Sequence, residues 1–183
     1  MTWQIDKAHT DVSFSVRHMM VSTVRGHFKG VDGELDFDPA DLTTARLRVT
    51  IPVASIDTRE ERRDGHLRSA DFFDVEHYPS ITYVSREVRA EGGDRYRVVG
   101  DLTIRDQTRP VDLEVTLGGV QAAPMGGRSA GFEALAKISR KDFGLNWNVA
   151  LESGGVLVGD EVKITIDAEV AEVVPAAAGA AAG

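Results

Sequence analysis

The chain has 183 residues, 21 Lys+Arg against 29 Asp+Glu for a formal net charge of −8, and no cysteine. That length suits one domain with a core that needs no covalent staple, and the missing thiols exclude disulfides, thiolate catalysis, Cys-ligated zinc and a lipoprotein anchor. An acidic chain without a basic block is a poor match to a phosphate backbone, so no nucleic-acid partner is expected, and no apolar run approaches the length of a membrane span.

Charge arrives by Asp6, with no apolar signal core before it, and a cytoplasmic location is the expectation. Val12-Ser13-Phe14-Ser15-Val16 then alternates apolar and polar residues, the period of a strand with one face on apolar material. Val31 to Phe37 alternates strictly until Asp38-Pro39 breaks it, and Ala45 to Ile51 alternates again. Thr58 to Asp74 is the one helical stretch. Thr58 with Glu61 three residues on fits a capping box, and Gly65 predicts two short turns rather than one helix. Arg59, Arg62, Arg63 and Arg68 against Glu60, Glu61 and Asp64 read as a solvated surface rather than a binding patch. Strands follow at Ile81 to Val84 and Tyr96 to Ile104, with a hairpin turn at Gly92-Gly93-Asp94. A second turn is predicted at Gln107 to Pro110. Val111 to Leu117, Phe132 to Ile138 and Val162 to Ala168 complete the strands. Residues 174–183, only alanine and glycine after Pro175, are expected to form a disordered tail on a domain spanning 1–173.

Eight such strands are enough to close an all-β antiparallel barrel, which leaves no sheet edge unpaired. Its interior is either packed or hollow, and that decides what the protein can do. The inward set contains Phe14, Leu35, Phe37, Leu47, Val49, Ile51, Tyr83, Leu102, Leu113, Phe132 and Ile164. Gly33, Gly100, Ala134 and Ala136 lie among them, and small residues there either leave a channel or let large neighbours close in. The alternation alone does not choose.

Motifs of chemistry are sparse. Gly127-Arg128-Ser129-Ala130-Gly131 matches the G-x-S-x-G of serine hydrolases, but that motif needs a strand before the serine and a helix after it. Here a glycine-rich turn precedes and a strand follows, so no hydrolase activity is expected. His9, His18 and His27 are spaced by nine, which has no meaning on one strand, and neither H-x-H nor H-E-x-x-H appears, so no metal site is predicted. His18 shares parity with Phe14 and Val16, which points it inward at a barrel end as a rim histidine or a contact for a ligand head group. Asp71, Asp74 and Glu76 read as caps and surface charge. No phosphate-binding glycine loop precedes a helix, so no nucleotide cofactor is expected.

Several stretches, in order, resemble one family. Trp3-x-Ile5-Asp6-x-x-His9 opens it, followed by Phe14-Ser15-Val16-Arg17-His18 and Gly26-x-Phe28. The most specific block is His66-Leu67-Arg68-Ser69-Ala70-Asp71-Phe72-Phe73-Asp74 with Tyr78-Pro79-x-Ile81-Thr82. Gly100-x-Leu102-Thr103-Ile104-Arg105, Ser139-Arg140-x-Asp142-Phe143-Gly144-Leu145 and Gly159-Asp160-Glu161-Val162 complete the likeness over Thr2 to Ala171. Thr10 and Asp106 depart from the usual serine and glycine. The chain thus resembles the YceI-like, or polyisoprenoid-binding, family.

The resemblance implies a lipocalin-like eight-stranded antiparallel β-barrel with a short helical insert. It implies a hydrophobic cavity for a long-chain lipid, a polyisoprenoid or a fatty-acid amide, and homodimers in some members. Many members are periplasmic, but this chain begins at the domain itself, so that location is not carried over. The family supplies no catalytic residues to transfer. The hollow reading is then favoured, with Val16, Ile81, Ile104 and Ala134 joining the inward set as cavity lining. Burial of an apolar chain gains ~0.8 kcal/mol per methylene, so ten methylenes gain ~8 kcal/mol against an association cost of at least ~4 kcal/mol. The rivals are a filled structural barrel and an enzyme for apolar substrates, for which His18 and Tyr83 are the inward polar groups.

Overall fold

A computed structural model describes residues 1–175 of the chain. The strands are β1 (Thr2–Ile5), β2 (Asp11–His18), β3 (Ser22–Phe28), β4 (Asp32–Asp38), β5 (Asp41–Pro52), β6 (Ile56–Asp57), β7 (Ser80–Gly92), β8 (Arg95–Ile104), β9 (Gln107–Ala122), β10 (Arg128–Ser139) and β11 (Val158–Glu172). All pair antiparallel. The ring runs β1-β4-β5-β7-β8-β9-β10-β11 and closes by the pairing of β1 with β11.

Eleven strands make eight staves, because three staves are each broken once. β1 and β2 both lie along β11, β1 at Val170–Glu172 and β2 at Val158–Asp167. β4 pairs with β1 and β3 with β2, and β5 and β6 pair in turn with β4 and β3. The breaks are one-turn 3-10 segments at Lys7–His9 and Val53–Ser55 and the step from Phe28 to Asp32. Each stave carries one of the eight predicted alternating runs. β1 and β6 are too short to show a run, and β3 is not among the runs read from the sequence.

The hairpin at Gly92-Gly93-Asp94 forms as predicted, with Gly92 and Gly93 both at positive φ. The turn expected at Gln107 to Pro110 does not. β8 and β9 are joined instead by Arg105-Asp106, with Arg105 at φ 55, and Gln107, Thr108, Arg109 and Pro110 pair with Ile104 back to Asp101. Pro110 lies past the last β9–β10 pair, Leu135 with Glu114, so that edge offers its nitrogen no partner to lose.

The insert also differs from expectation. One α-helix, α1 (Glu61–Arg68), runs straight through Gly65. Its cap is Glu60, whose carboxylate accepts from the Arg62 and Arg63 amides at 3.0 and 2.8 Å. Thr58 instead is buried against β6, where its amide and hydroxyl donate to the buried carboxylate of Asp64. Arg63 completes that knot by donating to the Thr58 hydroxyl and carbonyl, both at 2.8 Å.

The interior is packed at one end and hollow at the other. At the packed end Trp3, fully buried, stacks on Phe37 with centroids 4.5 Å apart, and Phe132 meets Phe37 edge-on at 5.7 Å. Leu35, Ile5, Leu42, Val170 and Ala130 fill around them. The Trp3 indole donates to the Phe37 carbonyl at 3.2 Å, and Arg128, paired with Glu172, lies over its ring. The small inward residues let neighbours in rather than opening a channel. A Cβ at Gly100 would stand 2.5 Å from the Tyr83 ring, and one at Gly26 would stand 2.5 Å from Phe14. Each aromatic ring thus crosses its partner strand where only glycine leaves room.

Candidate functional site: a cavity at one end of the barrel

Beyond the aromatic plug the barrel encloses a cavity of about 620 Å³. Phe14 and Val16 of β2, Leu47, Val49 and Ile51 of β5, and Ile81 and Tyr83 of β7 line it. Leu102, Ile104, Leu113 and Ile164 line it from β8, β9 and β11. Inward aliphatics in a packed barrel are lost to solvent, yet Val162, Ile164 and Ile166 stay partly accessible while their outward neighbours are exposed. That is what a hollow produces, and a wall of this composition gives water little to hydrogen-bond.

Four residues expected in the lining are not there. Leu35, Phe37 and Phe132 belong to the plug, and Ala134 is buried away from the cavity wall. Their parity places them inward, as the pattern said. What it could not say is how far along the barrel axis the filling extends.

The mouth is built by segments without strand periodicity. α1 and the loop after it supply Arg62, Arg63, His66, Leu67, Phe72 and Phe73, so this stretch is a wall of the cavity and not the solvated surface expected from its charges. From the other side come Leu145, Trp147 and Leu157. The two sides meet through His66, whose ring is edge-on to Phe72 at 5.1 Å and to Trp147 at 4.6 Å. His66 Nε2 lies 2.8 Å from Asp71, which fixes the ring. The aromatic pair Phe72-Phe73, flanked by carboxylates, is the available signal: two adjacent rings in a polar stretch must cover something.

Arg140 holds the second side in place. It follows β10 in a 3-10 turn and is almost fully buried. Its guanidinium donates to the carbonyls of Leu145, Trp147, Val158 and Gly159, with Asp160 3.6 Å away. Burial pushes its pKa down and the Asp160 carboxylate opposes that shift. Asn148 adds a two-way bond to the Val158 backbone.

The polar groups of the wall do not form an acid–base set. The Tyr83 hydroxyl donates to the Val111 carbonyl at 2.9 Å and lies 3.2 Å from that of Val98, and burial pushes its pKa up. It is therefore a neutral phenol held by backbone. His18 stands at the mouth, and its ring has no hydrogen-bond partner among the described residues. Ser129 sits inside β10, paired with Gln121 and Ala171, with no helix after it. A fluorophosphonate probe should leave it unlabelled; a covalent adduct at Ser129, lost in Ser129→Ala together with ester turnover, would make the protein a hydrolase.

Outside the cavity Asp6, His9 and Glu169 bring ligand-type atoms together. The Asp6 carboxylate caps the Lys7–His9 turn through the Ala8 amide and bonds His9 at 2.8 Å, which raises the His9 pKa. His9 is exposed, Asp6 and Glu169 are partly buried, and the bonds of the group are those of a turn at a stave break.

A model of the YceI-like domain matches residues 3–170. The chain belongs to the YceI-like family. A UPF0312 protein of Staphylococcus epidermidis is 42% identical over 168 residues, covering 91% of this YceI-like chain and 95% of the relative. One from Staphylococcus aureus is 39% identical over 165 residues, covering 90% and 94%. Among solved structures, BcnA of Burkholderia cenocepacia superposes with a TM-score of 0.78 at 29% identity, covering 90% of this chain and 98% of its own. A polyisoprenoid-binding domain from Saccharophagus degradans superposes at 0.69 with 16% identity, over 93% and 98%, and shares the YceI-like fold.

Proposed function

We propose that this protein holds one long-chain, mainly apolar lipid in the barrel, as a carrier, store or scavenger, and that the chain is isoprenoid-like. The observation that carries the proposal is the hollow half of the barrel, an aliphatic and aromatic wall around about 620 Å³. At ~30 Å³ per buried group, close to a water's share of the liquid, that space takes a chain on the order of twenty carbons. Burial of such a chain outweighs the cost of association even with no tight head-group site. The polyisoprenoid-binding domain of Saccharophagus degradans, with the same fold, supports the isoprenoid assignment.

The tail lies among Leu47, Val49, Leu113 and Ile164, and the head stays at the mouth beside His18. Every charged residue in the wall is an arginine: Arg17, Arg62, Arg63 and Arg140. A head that accepts hydrogen bonds suits that rim; a cationic head does not.

The test is native mass spectrometry of the purified protein with analysis of its organic extract. The expected result is one added mass per chain, identified as an isoprenoid lipid. Bare protein that also fails to take up polyprenols offered in detergent would overturn the proposal.

A further inference from the structure

We propose that the end of the barrel carrying the cavity mouth docks on an anionic lipid bilayer, led by the β2–β3 hairpin tip Met19-Met20-Val21. This goes beyond cargo binding, and the surface does not depend on what the cavity holds.

The hairpin is unusual in two independent ways. Met19, Met20 and Val21 are exposed, Met20 at 62% and Val21 at 77%. Val149 and Val156, also exposed, lie on the loop that the hairpin touches: the Met19 amide donates to the Leu157 carbonyl at 2.7 Å, and Met20 Sδ lies against Gly155. The apolar tips of two segments therefore form one patch. The backbone is the second anomaly. Met19 and Met20 have φ 51 and 60, and the Val21 amide donates to the His18 carbonyl at 3.2 Å. This is a type I′ turn, which Asn-Gly would fill without strain. Two long apolar side chains occupy positions that disfavour them on both conformational and solvation grounds.

The position of the patch says what it meets. It adjoins Arg17, His18 and Leu157, which line the mouth of the cavity. Arg17 donates to Thr23 and to the Met20 carbonyl, and neither it nor Arg62 has a carboxylate within 4.0 Å among the described residues. A chain with 29 carboxylates has none from Val12 to Val31. Glu152 is the single acidic residue of the neighbouring loop. Exposed apolar tips beside unpaired arginines match the interface of an anionic membrane, where side chains enter the acyl boundary and cations face phosphate. A second copy fits less well, since a two-fold contact sets this patch, which carries Arg17 and no carboxylate from Val12 to Val31, against an identical one.

The test is co-sedimentation with vesicles of phosphatidylcholine alone and with one part phosphatidylglycerol in three. The wild-type protein should bind the anionic vesicles, with binding weakened by high salt. Met19→Asn combined with Met20→Gly should lower partitioning about ten-fold, because two apolar side chains are lost from the interface. The same variant should melt no lower than wild type, since it places the preferred residues in the turn, and should take up lipid from detergent as wild type does. Vesicle binding and cargo uptake are read separately, so failure of one is not failure of the other. The proposal is overturned if wild-type protein ignores anionic vesicles, if the variant binds them equally, or if sedimentation shows a dimer that the variant dissociates.

Discussion

Replacing Arg140 by alanine should destabilise the protein by ~3–5 kcal/mol, the scale of removing one buried partner from a hydrogen-bonded charge cluster. The side chain is almost fully buried and satisfies the carbonyls of Leu145, Trp147, Val158 and Gly159. Alanine leaves those acceptors to find water inside a wall that admits little of it. For a domain of this size the melting temperature should fall by roughly 10 °C. Arg140→Lys should recover little, because an ammonium cannot fork toward residues on two separate segments. Hydrogen exchange should show protection lost first between Gly144 and Gly159. A melt within about 1 kcal/mol of wild type would mean the loop is held by something other than this guanidinium.

The second large effect separates the hollow from the filled half. Leu113→Trp places extra carbon in the cavity, where Leu113 already faces open space. It should abolish lipid uptake and leave the melting temperature unchanged or higher, because added atoms meet no packed neighbour. Ala134→Phe, which the sequence alone suggests for narrowing the cavity, enters packed surroundings and should cost about 1–3 kcal/mol by overpacking. Uptake measured with a fluorescent polyene, beside a thermal melt of each variant, reads both. If Leu113→Trp binds the probe normally, the lining is wrong; if Ala134→Phe is silent in the melt, the surroundings of Ala134 are looser than described.

Legibility followed periodicity. The eight staves could be read because period-two alternation reports which face of a strand meets apolar material, and it does so residue by residue. Depth along the barrel axis leaves no such mark: Leu35 and Leu47 are paired neighbours on β4 and β5, yet one packs on the plug and the other lines the cavity. The distinction is made by Trp3, whose large ring fills one end from a strand too short to show a pattern. The mouth was illegible for a related reason. α1 and the Leu145–Val158 segment are held by local knots, chiefly Asp64 with Thr58 and Arg140 with four carbonyls, and a knot has no period. Gln107–Pro110 differs for another reason: a proline at an unpartnered strand edge looks in sequence like a proline in a turn.

The aromatic plug closes one end of the barrel, which leaves the proposed cargo only the mouth end. On the proposed reading, a lipid held inside would enter tail first and leave head first at the mouth end. A newcomer cannot push the occupant out from behind, as it could in an open tube, so turnover waits on departure. Exchange then proceeds at a rate set by the occupant's own escape, and raising the supply of free lipid does not hasten it.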